Sequence, residues 1–123
     1  MKTSHRVITG DARELPLADD AVDLVVTSPP YPMIEMWDDI FGTLDPAIED
    51  ALATDDGDRA FTLMHDVLDS VWAELERVLT PGGLACINVG DATRSLSDGF
   101  RSYPNHAEIT DRLTDRGLRA LPD

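Results

Sequence analysis

At 123 residues the chain has room for one core, and no run of about 18 apolar residues that could span a bilayer occurs in it. Ten Lys and Arg against 24 Asp and Glu leave a formal net charge of −14, with Lys2 the only lysine. That balance excludes a generally basic nucleic-acid surface; at molar salt, where the Debye length is about 3 Å, distant carboxylates would repel DNA little and local arginines would have to make the contacts. One cysteine, Cys86, excludes an internal disulfide and is expected as a small core residue. With no apolar leader at the start, neither export nor membrane insertion is indicated and a cytoplasmic location is expected.

In chain order, His5-Arg6-Val7-Ile8-Thr9 is a β-leaning run stopped by Gly10 and reads as a buried strand, with Asp11 at its carboxyl end. Ligands gather at the carboxyl ends of strands in open α/β sheets, so Asp11 is either a site residue or the cap of the next turn. Leu15 to Asp20 reads as a loop or short helix. Val22 to Thr27 is nearly continuous Val and Leu, which predicts a central parallel strand covered on both faces. Ser28-Pro29-Pro30-Tyr31 follows directly. Two prolines give a stiff turn that offers carbonyl oxygens and lacks backbone N–H groups, Ser28 adds a hydroxyl, and Tyr31 adds a flat face for stacking. Such a surface suits a planar aromatic amine.

Pro32 to Asp58 is acidic and poorly periodic, and residues 42–58 read as an acidic loop and short-helix insertion in a single domain, 1–123. Trp37 could lie beside a bound base or simply cover the sheet. Asp45-Pro46 is an N-cap with proline at N1, opening a helix to about Ala53. Asp58 is the expected cap of the longest helix, Arg59 to Leu79, whose apolar residues recur at spacings of three and four and place Trp72 in the core. Thr80-Pro81-Gly82-Gly83 turns the chain into a strand, Leu84 to Val89, so that Asn88, Gly90 and Asp91 stand at its carboxyl end. Ser95 to Ser102 reads as a mobile polar loop, flanked by Arg94 and including Arg101 as solvated side chains or phosphate contacts. Pro104 or Asn105 opens a helix ending near Arg116-Gly117, and Leu118 to Leu121 would begin another strand. His106-Ala107-Glu108 lacks the Pro-Cys-x-x-Cys that a zinc deaminase needs, and His5 and His65 have no partner at ligand spacing, so no metal is expected and both are read as surface or helix-face residues.

The order of Gly10-Asp11-Ala12-Arg13-Glu14-Leu15, then Ser28-Pro29-Pro30-Tyr31, then Trp72 through Leu79-Thr80-Pro81-Gly82-Gly83 to Asn88-Val89-Gly90-Asp91, resembles the amino-group DNA methyltransferases that act on cytosine N4 or adenine N6. The resemblance implies a partial Rossmann-like α/β fold with about three to four mainly parallel strands and flanking helices. It implies S-adenosyl-L-methionine as cofactor, bound by Asp11, Ala12, Thr27 and Ser28. Catalysis would fall to Ser28, Pro29, Pro30 and Tyr31, and substrate contacts to Trp37, Asp91 and Arg94. DNA would be the partner, with the base flipped out and a restriction–modification setting expected; the serine of the motif favours cytosine N4 over adenine N6. The acid-rich, lysine-poor composition resembles that of salt-loving archaea. No Gly-x-Gly-x-x-Gly loop is present, which departs from the family and implies that a missing C-terminal segment carries the cofactor loop and target recognition. A homodimer through the resulting open sheet edge is one expectation. Two alternatives stand beside methylation of DNA: the same chemistry on RNA or a glutamine amide, and an incomplete fragment without turnover.

Overall fold

A computed structural model describes residues 1–97 and 99–122. Strand β1 spans Val22–Thr27 and is followed by a single 3-10 turn, Glu35–Trp37. Three helices come next: α1 over Asp38–Leu44, α2 over Pro46–Ala53 and α3 over Gly57–Val78. Strand β2 runs over Leu79–Ile87, strands β3 (Ala92–Leu96) and β4 (Gly99–Tyr103) form a hairpin, and helix α4 closes the described chain at Asn105–Asp115.

β1 and β2 pair in parallel, with α3 as the crossover between them. The pairing is interrupted between Val22↔Leu79 and Leu24↔Leu84, so β2 carries the extra residues as a bulge. Pro81-Gly82-Gly83 is therefore inside the strand rather than before it. Gly82 has φ of +81°, and a Cβ at Gly83 would lie 2.9 Å from the Thr80 carbonyl and 3.2 Å from that of Asp23, so glycine is required at both. Beyond the bulge, Thr27 is paired with Ile87, and Asn88 donates its N–H to the Thr27 carbonyl at 2.9 Å. The two strands thus end flush, and the turns beginning at Ser28 and Asn88 leave the sheet side by side.

One face of α3 supplies the largest share of the core: Ala60, Met64, Leu68, Trp72, Leu75 and Val78 are buried, together with Phe41 of α1, Ile48 and Ala51 of α2 and Ile109 of α4. Val25, Ala85 and Ile87 pack against this core from the sheet. The opposite sheet face, with Leu24 and Val26 of β1 and Leu84 and Cys86 of β2, is exposed. The expectations that β1 is covered on both faces and that Cys86 is a core residue are therefore corrected: strand alternation puts Cys86 on the face that no described element covers.

Three further expectations about elements change. Residues 5–9 form no strand, because a strand requires a neighbour to accept its hydrogen bonds and β1 and β2 pair only with each other; Val7 is 96% exposed. The described residues of Ser95 to Ser102 fall in or beside the antiparallel strands β3 and β4, with Arg94↔Arg101 in register, not in a polar loop; Asp98 lies outside the described residues. Residues 118–122 are not strand; Gly117 at φ of +95° ends α4 instead, with Leu118 N–H on the Leu113 carbonyl and Gly117 N–H on that of Thr114, a Schellman closure. Asp123 lies outside the described residues. The α2 boundaries agree with the sequence reading, whereas α3 starts two residues earlier than expected because Asp56, rather than Asp58, caps it by accepting from the Arg59 N–H at 3.1 Å.

Candidate active site

The Ser28–Tyr31 turn leaves β1 at its carboxyl end. Ser28 is exposed, Pro29 is buried, and the Ser28 hydroxyl is 3.4 Å from the Tyr31 hydroxyl. Tyr31 then begins a second turn, closed by the Ile34 N–H on the Tyr31 carbonyl at 3.2 Å, with Pro32 and Met33 at its centre. Met33 has φ of +67°, a left-handed conformation rare for a residue with a side chain. Burial holds it there: Met33 is 1% exposed and its N–H points at the Met64 sulfur, 3.2 Å away. The carbonyls of Ser28, Pro29 and Pro30 accept no hydrogen bond among the described residues, so the turn keeps its acceptors available.

The second strand end meets the first at Gly90. A Cβ added there would lie 3.3 Å from Cε2 of the Tyr31 ring, tighter than ordinary contact, so the ring rests against bare backbone. Asp91, the next residue, accepts the His106 N–H at 3.0 Å and the His106 Nδ1 at 2.8 Å, which closes the first turn of α4 from outside the helix. Those bonds from His106 hold the Asp91 carboxyl below its ordinary range. Asp91 thus acts on α4 and is 40% exposed beside the site.

The remaining sequence candidates are distributed differently. Asp11 sits in a turn closed by the Glu14 N–H on its carbonyl; its carboxylate takes the Arg13 N–H at 2.9 Å and the Arg13 guanidinium at 2.8 Å. These bonds lower the Asp11 carboxyl to about 2, so it is an exposed acceptor, ionised at neutral pH. Ala12 lies in the same turn. The stretch that follows is tied to the last turns of α3: Arg77 donates to the carbonyls of Leu15 and Leu17 and to Asp19, while Glu74 accepts the Leu15 N–H at 2.6 Å. Glu74 is pulled down to about 2 by Arg77 first and the Leu15 N–H second. Trp37 is half-buried at the end of the 3-10 turn and packs on the core. Arg94 forks onto Asp38 with both terminal nitrogens, at 2.9 and 2.7 Å, and its side chain is 11% exposed; Asp38 raises its affinity for its proton. Arg101 pairs with Asp58 at 2.7 Å. The structure therefore brings Ser28, Tyr31 and Gly90 together, ties Asp91 to the flank, and engages Arg94 and Arg101 in ion pairs.

Two buried residues that join these elements were not singled out from the sequence. Asn105 and His65 are both 0% exposed and bonded to each other at 2.9 Å. The reading of His65 as a surface or helix-face residue is corrected, since its helix face is the one covered by α4 and Phe61 stacks edge-on to it with centroids 4.6 Å apart. The clue available was its place in the α3 stripe, one residue after Met64; Asn105 offered none beyond its position at the start of α4.

Two parallel strand ends thus place a proline turn with open acceptors and an aromatic ring beside a glycine. A family model described as DNA methylase matches residues 22–113. The chain belongs to the N6/N4 DNA methylase family. It is 48% identical to the type II methyltransferase M.MthZI of Methanothermobacter thermautotrophicus, across 99% of this chain and 35% of that protein. It is 44% identical to the type II methyltransferase M.MjaI of Methanocaldococcus jannaschii, across 98% of this chain and 44% of that protein. Among solved structures, TTHA0409 of Thermus thermophilus, described as a putative DNA modification methylase, superposes with a TM-score of 0.65 at 35% identity, covering 96% of this chain and 42% of that one. A structure of TTHA0409 complexed with S-adenosyl-L-methionine superposes with a TM-score of 0.64 at 33% identity. This chain thus spans less than half the length of these relatives. The likeness agrees with the expected partial Rossmann-like methyltransferase fold, with a parallel sheet and flanking helices.

Proposed function

We propose that this chain carries the catalytic motif of a DNA methyltransferase that methylates the exocyclic amine of a flipped base, cytosine N4 in preference to adenine N6. The supporting observation is the Ser28–Tyr31 turn itself, which presents uncommitted carbonyls and a hydroxyl beside an aromatic ring at a parallel strand end. S-adenosyl-L-methionine, when bound, supplies the methyl group as an electrophile. The residues present suit part of its site: Asp11 is an ionised acceptor for hydroxyl or amino donors, Ala12 adds backbone in the same turn, and Thr27 and Ser28 border the strand end. The other contacts, and the selection of the base, fall to a region corresponding to the length of the relatives that this chain does not span.

The chain's own groups act on the amine. Its two hydrogens are drawn by the Pro29 carbonyl and the Ser28 hydroxyl, which localises the nitrogen lone pair and aims it out of the ring plane. Tyr31 stacks on the base and restricts it to that orientation, and the turn's prolines keep the acceptors from relaxing. Removing a base from the duplex costs a few kcal/mol, which stacking on Tyr31 partly offsets. Because the work is on DNA, a cytoplasmic location follows, and the acidic composition fits a protein that meets its DNA at high salt.

Calorimetric titration with S-adenosyl-L-methionine in molar potassium chloride tests the cofactor half of this reading. Micromolar binding, lost in Asp11→Ala, is expected; equal binding with Ala at position 11 overturns the role given to Asp11, and a folded chain that does not bind overturns the assignment of a working half-site to these residues. Nucleoside analysis of methylated DNA separates N4-methylcytosine from N6-methyladenine. A second acceptor is favoured by one comparison: the chain is 34% identical over 90 residues to the release factor glutamine methyltransferase of Caulobacter vibrioides. Label appearing in a glutamine peptide and not in DNA would decide for that amide.

A further inference from the structure

The Asn105 amide uses all of its principal hydrogen-bonding positions with no surface exposed. Nδ2 donates to the Pro32 carbonyl at 2.8 Å and to the Gly90 carbonyl at 3.1 Å, and Oδ1 faces His65 Nε2 at 2.9 Å. Carbonyls only accept, so the amide has one permissible orientation. His65 must then donate from Nε2, and because its buried Nδ1 has no partner among the described residues to receive a second proton, the ring is read as the neutral Nε2–H tautomer. Reversing the amide would face two carbonyls with a third acceptor and turn an N–H toward another N–H. The two carbonyls therefore orient Asn105, Asn105 sets the His65 tautomer, and the His65 bond braces the amide that joins two backbone positions.

Those two positions frame the proposed base-stacking residue. Pro32 follows Tyr31 in the chain, and Gly90 is the backbone against which the Tyr31 ring rests. Helix α4 is itself held to the same turn by the bonds from His106 to Asp91. We infer that Asn105, braced by His65, is a positioning residue that sets the Tyr31 ring against the Gly90 turn and so fixes the stacking face of the site. Its meaning for base capture rests on the proposed function, whereas the positioning itself rests on the hydrogen bonds alone.

Nuclear magnetic resonance on the labelled full chain tests this without requiring turnover. In the parent, the two Asn105 side-chain amide protons should exchange slowly with solvent, and the Tyr31 ring protons should show a nuclear Overhauser effect to the Gly90 α protons. Fast exchange of the amide overturns the proposal. Asn105→Asp keeps the shape and the acceptor for His65 while removing the donor pair; loss of the Tyr31–Gly90 effect in a chain that keeps its helical spectrum supports the proposal, and its retention overturns it. Should that variant fail to fold, His65→Leu removes the third bond of the amide and leaves both loop partners intact. Faster Asn105 exchange and a weakened Tyr31–Gly90 effect are then expected, and no change in either overturns the inference. Failure of cofactor binding or methyl transfer would remove the functional reading and leave these signals in place, so the two can fail separately.

Discussion

Met33 holds a left-handed backbone in the turn directly after the proposed catalytic motif, where glycine would be the unstrained choice. The conformational penalty for a side chain there is about 1 kcal/mol. Deleting a buried methionine side chain costs about 3 kcal/mol, so the two effects oppose and packing wins. Met33→Gly is therefore expected to destabilise by about 2 kcal/mol in urea unfolding, and a variant as stable as the parent would show that strain outweighs packing at this turn. The buried His65 makes a second prediction at this scale. Burial lowers its affinity for a proton below the ordinary value of 6.5, opposed by the Asn105 bond and by Glu108 and Asp69, and assisted by Arg112. As pH falls below 6.5 the unfolded chain takes up a proton that the folded chain resists, so this contribution is complete above that value and is lost going down, at no more than about 1.4 kcal/mol per pH unit. The unfolding midpoint should drop between pH 7.5 and pH 5.5 in the parent, and His65→Gln should flatten that interval. An unchanged slope in the variant would assign the pH dependence to other groups.

Between elements, the turn is held from two sides. Asn105 reaches it from α4, and Arg94 reaches it from β3 through Asp38 at the start of α1. Since the Arg94–Asp38 pair is mostly but not wholly withdrawn from water, Arg94→Ala should cost about 2 kcal/mol, between the values for exposed and buried pairs. Arg94→Lys keeps the charge but cannot fork onto both carboxylate oxygens, so it should recover less than half of the loss in a thermal melt; full recovery would mean that charge alone matters. This tie also marks the limit of reading elements from sequence. β1, α2 and the end of α4 are legible because their signals are local: a Val and Leu run, an Asp-Pro cap, an Arg-Gly stop. The 5–9 strand and the β3–β4 hairpin are not, because strand formation depends on a neighbour and sequence propensity does not supply one. The motif residues and Gly90 could be placed because strand ends converge by topology. Asn105 and His65 could not, since their pairing spans 40 residues and depends on how α4 lies on α3.

For the whole molecule, two features respond to salt in the same direction. A net charge of −14 on 123 residues opposes the compact state, and the exposed row of Leu24, Val26 and Leu84 is an apolar face on a two-stranded parallel sheet, a type of sheet ordinarily covered on both sides. The ion pairs work the other way. Arg77, Arg112 and Arg116 join the loop before β1, and helix α4, to α3 through pairs that are partly exposed, and salt weakens such pairs. Each exposed pair contributes less than about 1 kcal/mol, whereas the surplus of acids acts over the entire surface, so screening should favour the folded state on balance. Calorimetry in 0.1 M and 2 M potassium chloride is expected to show a higher Tm in the stronger salt, and sedimentation velocity should show more self-association there, as the apolar face gains from being covered. A Tm that falls with salt would mean that the arginine pairs, rather than the acidic surplus, govern the electrostatics of this fold. A Tm that rises without self-association would limit the salt response to charge, and leave the apolar sheet face as a surface that a second copy of this chain does not cover.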